Sequence, residues 1–394
     1  MEHGIRNGEG TVLKRIIAAA ALVFTVSLSA ARAEIPVYIA EGTVSRVQAQ
    51  SLAQSAEKTL GVRIQFVMQE ETGESVSSLL GAGETPRVAV LSAEAAAHWA
   101  REGLLLPLDG CLEAIGNIPQ EFADACVVDG QMMFAPLSAQ SRMMAVRSEG
   151  FRAVNMGYLL DSRAHPVWYP SEFLQALDEM ALVDAPGMEI WQPQEEDALW
   201  LEALLQGISG GEFADETTGA YVMEEETLMH AFEWLREMLS AGLIETAQNR
   251  EEALGRFVSG ETAVFVDWTA QESERFAQAI REGEILLRPY PSLSGTRQHA
   301  ARLTVVCAFD SQNERENALS CRAAALFGAA GADMLRERGS GEEGTQHFAM
   351  TGTKPFGATL RMLLCEETQK IMNGKADAES AASRITRAMR TAGY

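Results

Sequence analysis

The amino-acid sequence predicts an α/β protein built from two lobes, and three observations lead to this prediction. The chain has 394 residues, more than one hydrophobic core usually serves, so two units of about 200 residues or fewer are expected. Apolar strand-like runs alternate with amphipathic helices, as in βαβ units with a mostly parallel sheet. No low-complexity linker divides the chain, which we therefore expect to cross between the lobes several times.

The elements follow from apolar periodicity and from the glycines and prolines between them. The predicted strands are 36–40, 62–68, 88–92, 132–137, 142–147, 262–268, 285–291 and 303–309. The predicted helices include 44–59, 75–80, 94–101, several between 171 and 240, 251–258, 270–282, 315–329, 357–371 and 376–392. The polar residues 138–141 separate two of these strands and predict a crossing between the lobes.

The first 33 residues have the pattern of a secretory leader. Lys14 and Arg15 precede an apolar run at 16–26, and small residues end at Ala33. The run is much shorter than the ~20 residues that span a bilayer. We expect cleavage near Ala33 and an extracytoplasmic location, in the periplasm or at the cell surface. Retention of the leader as an anchor stays open.

Charge and cysteine content exclude some function classes. The chain carries 32 Lys and Arg against 55 Asp and Glu, a net charge of -23. Such a surface repels phosphate backbones, so no nucleic-acid partner is expected. The five cysteines are too few for a disulfide-built scaffold.

Export would allow some of these cysteines to pair. Cys111 with Cys126, and Cys307 with Cys321, are spaced for loop-closing disulfides, which leaves Cys365 over. The alternative is five buried thiols, which we favour for Cys307 because it lies in the apolar run 303–309. The pairing stays open.

Two catalytic-looking motifs do not have the context that their chemistry needs. Residues 207–211 fit the pattern of a serine nucleophile, but a helix precedes them where a strand is required. Residues 339–344 fit a dinucleotide loop, but they follow a helix and include two acidic residues. The six histidines form no ligand pair. We expect no catalytic residue, metal or cofactor.

Four segments together resemble one family. They are 81–109, 129–147, 257–268 with its Gly-Glu-Thr-Ala and final Trp268, and the closing helices at 366–390. In order and spacing they resemble the family 1 extracellular solute-binding proteins of ABC importers, the sugar-binding type that is similar to maltose-binding proteins. The chain departs from the pattern at Arg87, where the family usually has Asp, and in the loop 41–43, which lacks an aromatic residue.

The resemblance implies a type II periplasmic-binding-protein-like fold, with discontinuous lobes around a ligand cleft. The N-terminal lobe would be 34–139 plus 292–330, and the C-terminal lobe 140–291 plus 331–394. Such a protein is a monomer that captures a small solute, here a sugar, by lobe closure and delivers it to the permease subunits in the membrane. A polyamine ligand in the same fold stays open, because the chain is acidic. An exported carbohydrate-active enzyme and a ligand-binding partner of a membrane sensor also stay open.

Sugar sites combine aromatic planes with carboxylates and amides, and α/β sheets bind ligands at the carboxyl ends of their strands. We therefore predict ligand contacts from residues at or near strand ends. These are Trp268, Tyr290, Asp267, Gln140, Trp191, Ser92 and Glu41. Trp200 and Trp234 are expected in the core, and Trp168 in a loop at the surface or the cleft edge.

Overall fold

The computed structural model describes residues 34–183, 187–194, 198–215, 218–339, 346–349 and 351–394. The predicted leader lies outside the described residues. The strands are β1 Glu34–Ile39, β2 Arg63–Met68, β3 Val88–Ser92, β4 Val127–Val128, β5 Gln131–Met132, β6 Phe134–Arg147, β7 Met188–Trp191, β8 Ile244–Ala247, β9 Val264–Trp268, β10 Ile285–Arg288, β11 Arg297–Ala308 and β12 Gln346–Ala349.

Helices connect and pack against these strands. They are α1 Arg46–Leu60, α2 Gln69–Thr72, α3 Val76–Gly81, α4 Ala93–Arg101, α5 Leu112–Ile115, α6 Gln120–Ala125, α7 Ser148–Ala153, α8 Pro170–Leu182, α9 Leu199–Ser209, α10 Glu225–Ser240, α11 Arg250–Ser259, α12 Ala270–Arg275, α13 Ala277–Arg281, α14 Glu314–Gly339, α15 Gly357–Met372 and α16 Ala378–Thr391. Short 3-10 turns lie at Asp109–Cys111, Gly157–Leu160 and Thr351–Thr353.

Local sequence explains where the first helix begins and ends. The Ser45 side chain accepts a hydrogen bond from the Gln48 backbone N–H, and the Gln48 side chain bonds back to the Ser45 backbone, which makes a capping box. Gly61 ends the helix with a φ of 68°, a left-handed conformation that glycine adopts without a Cβ penalty. The chain then enters β2, parallel to β1.

Ten of these strands form one sheet, and the two halves of this sheet have the same strand topology. In the first half the strand order is β2-β1-β3-β11-β6, and in the second it is β8-β7-β9-β6-β10. Each half begins with three parallel strands. The fourth strand of the first half, β11, is antiparallel to β3 and β6. The fourth strand of the second half, β6, is antiparallel to β9 and β10. Both fourth strands are long, and both run from one half into the other.

The crossing strand β6 differs from the prediction. The sequence predicts two strands with a polar break at 138–141, but Phe134–Arg147 is continuous. The polar residues stay extended because their backbone pairs with β11, as in Ser141 with Ala301 and Gln140 with Arg302. The crossing is therefore a two-stranded bridge rather than a loop.

Two separate hydrophobic cores lie on the two sides of this bridge. The first core draws on residues 35–139 and 303–335. The second draws on 144–300 and 356–389. We call the two halves the N-lobe and the C-lobe. The exact lobe boundaries predicted from the sequence remain a prediction.

One sequence prediction is corrected by the packing. Trp168 is buried in the C-lobe core rather than placed at the surface, because its indole N–H donates to the Leu159 carbonyl at 2.9 Å and its ring stacks on Phe173. All five cysteines are free in this structure, so neither of the two pairings left open by the sequence is formed.

Candidate ligand-binding cleft

The carboxyl ends of three N-lobe strands lie at one edge of the sheet. β1 and β3 are parallel, and β6 runs in the same direction because β11 is antiparallel to both β3 and β6. Glu41 and Ser92 stand at or just beyond the ends of β1 and β3, and Gln140 lies within β6 where that strand leaves the N-lobe. This edge faces the C-lobe, since β6 continues from it into that lobe.

The C-lobe presents the equivalent edge in the opposite direction. Its parallel strands β7, β8 and β9 end at Trp191, Ala247 and Trp268. Trp268 pairs with Met143, where β6 enters the C-lobe. The carboxyl edges of the two lobes therefore face each other across the bridge, which is where open α/β sheets bind ligands.

An arginine spans the two edges. Arg361 belongs to α15, whose Leu360 and Leu364 are buried in the C-lobe core. Its Nη1 lies 2.7 Å from Oε1 of Glu94, in the first turn of the N-lobe helix α4. Its Nε lies 3.2 Å from Oε2 of Glu202 in the C-lobe. We call Glu94–Arg361 the inter-lobe ion pair.

The charge state of Arg361 follows from these neighbours. Burial alone would lower the pKa of the guanidinium, but Glu94 and Glu202 outweigh burial and raise it. Arg361 therefore stays cationic.

The 3-10 turn Thr351–Thr353 makes a second connection between the lobes. The Thr351 N–H donates to Oε1 of Glu202 at 3.1 Å, and the Arg101 guanidinium of α4 donates to the Thr353 carbonyl. A Cβ on Gly352 would lie 2.4 Å from Cγ of Glu94. Only glycine fits there without displacing the inter-lobe ion pair.

A second ionic cluster surrounds Asp267 on the C-lobe edge. Nη1 of Arg142 lies 2.5 Å from one carboxylate oxygen and 2.7 Å from the other, and Nε of Arg250 lies 2.7 Å from the second. Arg250 also donates to Glu272 at 2.9 Å. Burial raises the pKa of Asp267, while the two arginines oppose that shift. For Glu272, burial would raise the pKa, but hydrogen bonds from Thr269 and Arg250 lower it.

The three aromatic residues predicted to contact a ligand are packed inside the C-lobe. Trp268 is 1% exposed, and its indole N–H donates to Ser273 Oγ at 2.9 Å. Tyr290 is fully buried, and its hydroxyl donates to the Val266 carbonyl at 2.7 Å. Trp191 stacks on Phe265 with ring centroids 5.6 Å apart. These rings stabilise the floor of the cleft in this structure, and their contact with a ligand stays a prediction.

The polar residues predicted for the site lie along the two edges. Glu41 and Gln140 are exposed. Ser92 caps α4, and its Oγ accepts from the Ala95 N–H at 3.3 Å. Asp267 lies on the opposite edge and is held by its two arginines. The structure thus brings three of the predicted polar groups to one edge and the fourth to the facing edge.

Sequence reasoning missed the inter-lobe ion pair. Glu94 lies two residues beyond the end of β3, so the strand-end rule that selects Ser92 could also have selected it. Arg361 gives no such signal because it is one charge among several in an amphipathic helix far along the chain.

A pocket opens beside the N-lobe edge. It has a cavity volume of about 140 Å³ and is lined by Val44, Gln48, Ser51 and Leu52 from α1 and its preceding loop, by Leu137–Ala139 from β6 and by Leu335. Its lining is mostly apolar with a few hydroxyl and amide groups, which is typical of small-molecule sites. Gln140 follows directly on the same strand.

Several solved structures with the same architecture are described as sugar-binding or solute-binding proteins. A cyclic α-maltosyl-1,6-maltose binding protein from Arthrobacter globiformis superposes with a TM-score of 0.71 at 14% identity, covering 91% of this chain and 98% of that one. A family 1 extracellular solute-binding protein from Bifidobacterium longum subsp. infantis gives 0.69 at 12% identity, with 90% and 98% covered. The chain has the fold of the extracellular solute-binding proteins. The predicted fold is thereby confirmed.

A third structure shows the kind of ligand that this fold can hold. The GacH receptor of Streptomyces glaucescens, solved without ligand and with acarbose, superposes with a TM-score of 0.66 at 15% identity, covering 92% of this chain and 98% of that one. No protein-family model and no curated protein matches the sequence.

Two other features are absent from the described residues. Within them, no group of three or more histidine, cysteine, aspartate or glutamate side chains is placed to hold a metal ion. None of the described helices is long and apolar enough to cross a membrane.

Proposed function

We propose that this protein binds a carbohydrate in the cleft between its lobes and delivers it to the permease of an ABC importer, without catalysing a reaction. The observation that carries the proposal is the pair of facing carboxyl edges, spanned by the inter-lobe ion pair. The fold is shared with proteins whose structures were solved with acarbose, with α-D-tagatose and with cycloalternan. We further propose that the protein is an exported monomer.

The electrostatics of the cleft favour a neutral polyol. Arg361 is paired with two carboxylates, and Asp267 with two arginines. A neutral sugar can accept and donate hydrogen bonds at these groups while their charges remain paired. Charge-assisted hydrogen bonds of this kind are about twice as strong as neutral ones. A polyamine that paired with Glu94 would instead take this carboxylate from Arg361 and leave the buried guanidinium with Glu202, which weakens its compensation.

Lobe closure follows from the position of the inter-lobe ion pair. Glu94 and Arg361 belong to different lobes, and Oε1 of Glu94 lies 2.7 Å from Nη1 of Arg361. Opening the cleft would therefore separate these two side chains. The pair therefore favours the closed arrangement, and a ligand that bridges both edges adds to the same preference.

A thermal-shift screen over sugars, polyamines and amino acids tests the proposed ligand class. A bound ligand raises the melting temperature by mass action, by an amount equivalent to about 2.7 kcal/mol at one hundred times its Kd. We expect oligosaccharides to give the shifts. Shifts given only by polyamines or amino acids would contradict the carbohydrate proposal, and turnover of a glycoside would contradict the absence of catalysis.

Calorimetry with a sugar found in this way tests the ion pair. Glu94→Gln should weaken binding by about tenfold or more, since it removes about 1.4 kcal/mol or more from the closed complex. Glu71→Gln is the matched control, because Glu71 pairs with Arg46 on the exposed N-lobe surface. Equal affinities for the two variants would remove the inter-lobe ion pair from the binding mechanism.

A further inference from the structure

The N-lobe is assembled from two distant parts of the chain. Strands and helices between Glu34 and Ala139 form one part, and β11 with α14 forms the other. Helix α14 packs against α5 and against the 3-10 turn that ends at Cys111. At this seam, a Cβ on Gly328 would lie 3.5 Å from Cγ2 of Ile115, so the helices are in close contact.

Cys111 and Cys321 lie on the two sides of this seam. Cys111 precedes Ile115 by one helical turn, and Cys321 precedes Gly328 by two. Residues separated by one or two turns share a helix face. Cys321 therefore shares a helix face with Gly328, and Cys111 ends the 3-10 turn that packs against α14. Both are half-buried and packed against the N-lobe core.

The electrostatics agree with this placement. Burial, together with a smaller contribution from the nearby Cys111, raises the pKa of the Cys321 thiol to about 11. For Cys126, burial is the whole cause of the raised pKa, with no contribution from another cysteine. Cys111 is thus within electrostatic range of Cys321.

The remaining cysteines are poor competitors for either thiol. Cys126 and Cys307 are completely buried, and the Cys307 sulfur points to the Ala89 carbonyl at 3.6 Å within the sheet. Cys365 lies on α15 in the C-lobe. Cys111 and Cys321 are the two more exposed thiols among the five.

We propose that Cys111 and Cys321 are a redox-active pair that forms a disulfide across the seam between α5 and α14. The oxidant is a small-molecule or protein disulfide. The thiolate of one cysteine attacks it, forming a mixed disulfide and releasing one thiol. The second cysteine then displaces the other thiol, so that two protein thiols become a disulfide and one oxidant disulfide becomes two thiols. Packing of the 3-10 turn against α14 allows the Cα approach of about 4.4–6.8 Å that a disulfide requires.

This crosslink would join the two chain segments of the N-lobe and leave the bridge between the lobes free. Because the closed loop is long, its effect on the entropy of the unfolded chain is near the upper end for a single disulfide. It differs from both pairings that the sequence spacing left open.

Peptide mapping tests the pairing directly. The folded full-length protein is incubated with oxidised glutathione, blocked with N-ethylmaleimide under denaturing conditions and digested without reduction. We expect one crosslinked peptide pair that contains Cys111 and Cys321, lighter by two hydrogens than the two free peptides. Alkylation of all five thiols, glutathione adducts alone, or a Cys111–Cys126 link would overturn the proposal.

Thermal unfolding provides a second readout. Oxidation should raise the melting temperature by on the order of 5 °C, and a reductant should reverse the shift. Cys321→Ser should abolish the shift, whereas the control Cys365→Ser should keep it. A shift of equal size in both variants would assign the stabilisation to another group and contradict the pairing.

Discussion

The two lobes share a strand topology but are stabilised by different chemistry. The N-lobe core is mainly aliphatic, built from alanine, valine, isoleucine and leucine. The C-lobe core contains most of the large buried rings, including Trp168, Trp200, Trp268 and Tyr290. Offset and edge-to-face contacts join many of these rings, as between Phe257 and Trp268 at 5.8 Å.

The lobes differ even more in their buried charges. Among the described residues, every charged side chain in the buried class lies between Arg142 and Glu367, in the C-lobe or where β6 enters it. They are Arg142, Glu189, Glu202, Asp267, Glu272, Arg288, Arg361 and Glu367. The N-lobe ion pairs are more exposed, as with Arg46 and Glu71. One topology is therefore compatible with two kinds of core, and we expect the C-lobe to respond more strongly to charge substitutions.

The largest expected effect comes from Asp267→Asn. Loss of this carboxylate leaves Arg142 and Arg250 without their shared partner, and breaking a buried ion pair from one side costs about 3–5 kcal/mol. Chemical denaturation measures the free energy of unfolding. The N-lobe control Glu71→Ala should change it by less than about 1 kcal/mol, since exposed pairs contribute little. Similar losses in the two variants would contradict the difference between the lobes.

A matched truncation in the N-lobe sharpens the comparison. Leu108 is fully buried there, and Leu108→Ala should cost about 2–5 kcal/mol through lost contacts and the cavity left behind. Because no charge is involved, this loss should be the same at low and high salt. A strong salt dependence would indicate that the aliphatic core is coupled to the ionic clusters.

Trp268→Phe separates packing from binding in the C-lobe. Its burial and its bond to Ser273 predict a loss of about 1–3 kcal/mol in stability with sugar affinity changed by less than about threefold. Denaturation and calorimetry on the same sample measure both. A tenfold or greater loss of affinity in a well-folded variant would instead support direct ligand contact by the indole ring.

The smallest expected effect concerns a surface charge of the C-lobe. The Asp377 side chain caps α16, and hydrogen bonds from Ser380 lower its pKa from the ordinary 3.8. A lowered folded-state pKa adds stability that is present above the unfolded value and is lost as pH falls through the folded one. The free energy of unfolding of Asp377→Asn should therefore be slightly below that of the wild type at pH 5 to 8. Chemical denaturation at a series of pH values should show this difference shrinking below about pH 4. A stability difference between the two proteins that grows as the pH falls would contradict a lowered pKa of Asp377 in the folded state.

Local patterns predicted most of the fold. The strand predicted at 88–92 is β3, and the helices predicted at 44–59 and 357–371 match α1 and α15 to within two residues. These elements are specified by their own apolar period and by stops such as Gly61. The polar residues of β6 misled the prediction because their extended backbone depends on β11, which lies far along the chain.

The candidate cleft was predicted less well, and for a related reason. Strand-end position identified Ser92, Gln140 and Asp267, since a parallel sheet brings such residues to one edge. A strand-end position does not by itself predict the packing partners of a side chain, such as the contact between Trp268 and Phe276, whose ring centroids lie 5.6 Å apart. Arg361 was missed because its partners Glu94 and Glu202 are remote in sequence.

Small-angle X-ray scattering tests the central claim most directly. The radius of gyration is measured for the protein alone and with a saturating oligosaccharide identified by thermal shift. Binding by lobe closure predicts a smaller radius of gyration with the sugar, and a larger one for Glu94→Gln than for the wild type without ligand. A radius of gyration unchanged by every sugar that binds, in both proteins, would contradict closure of the cleft around its ligand.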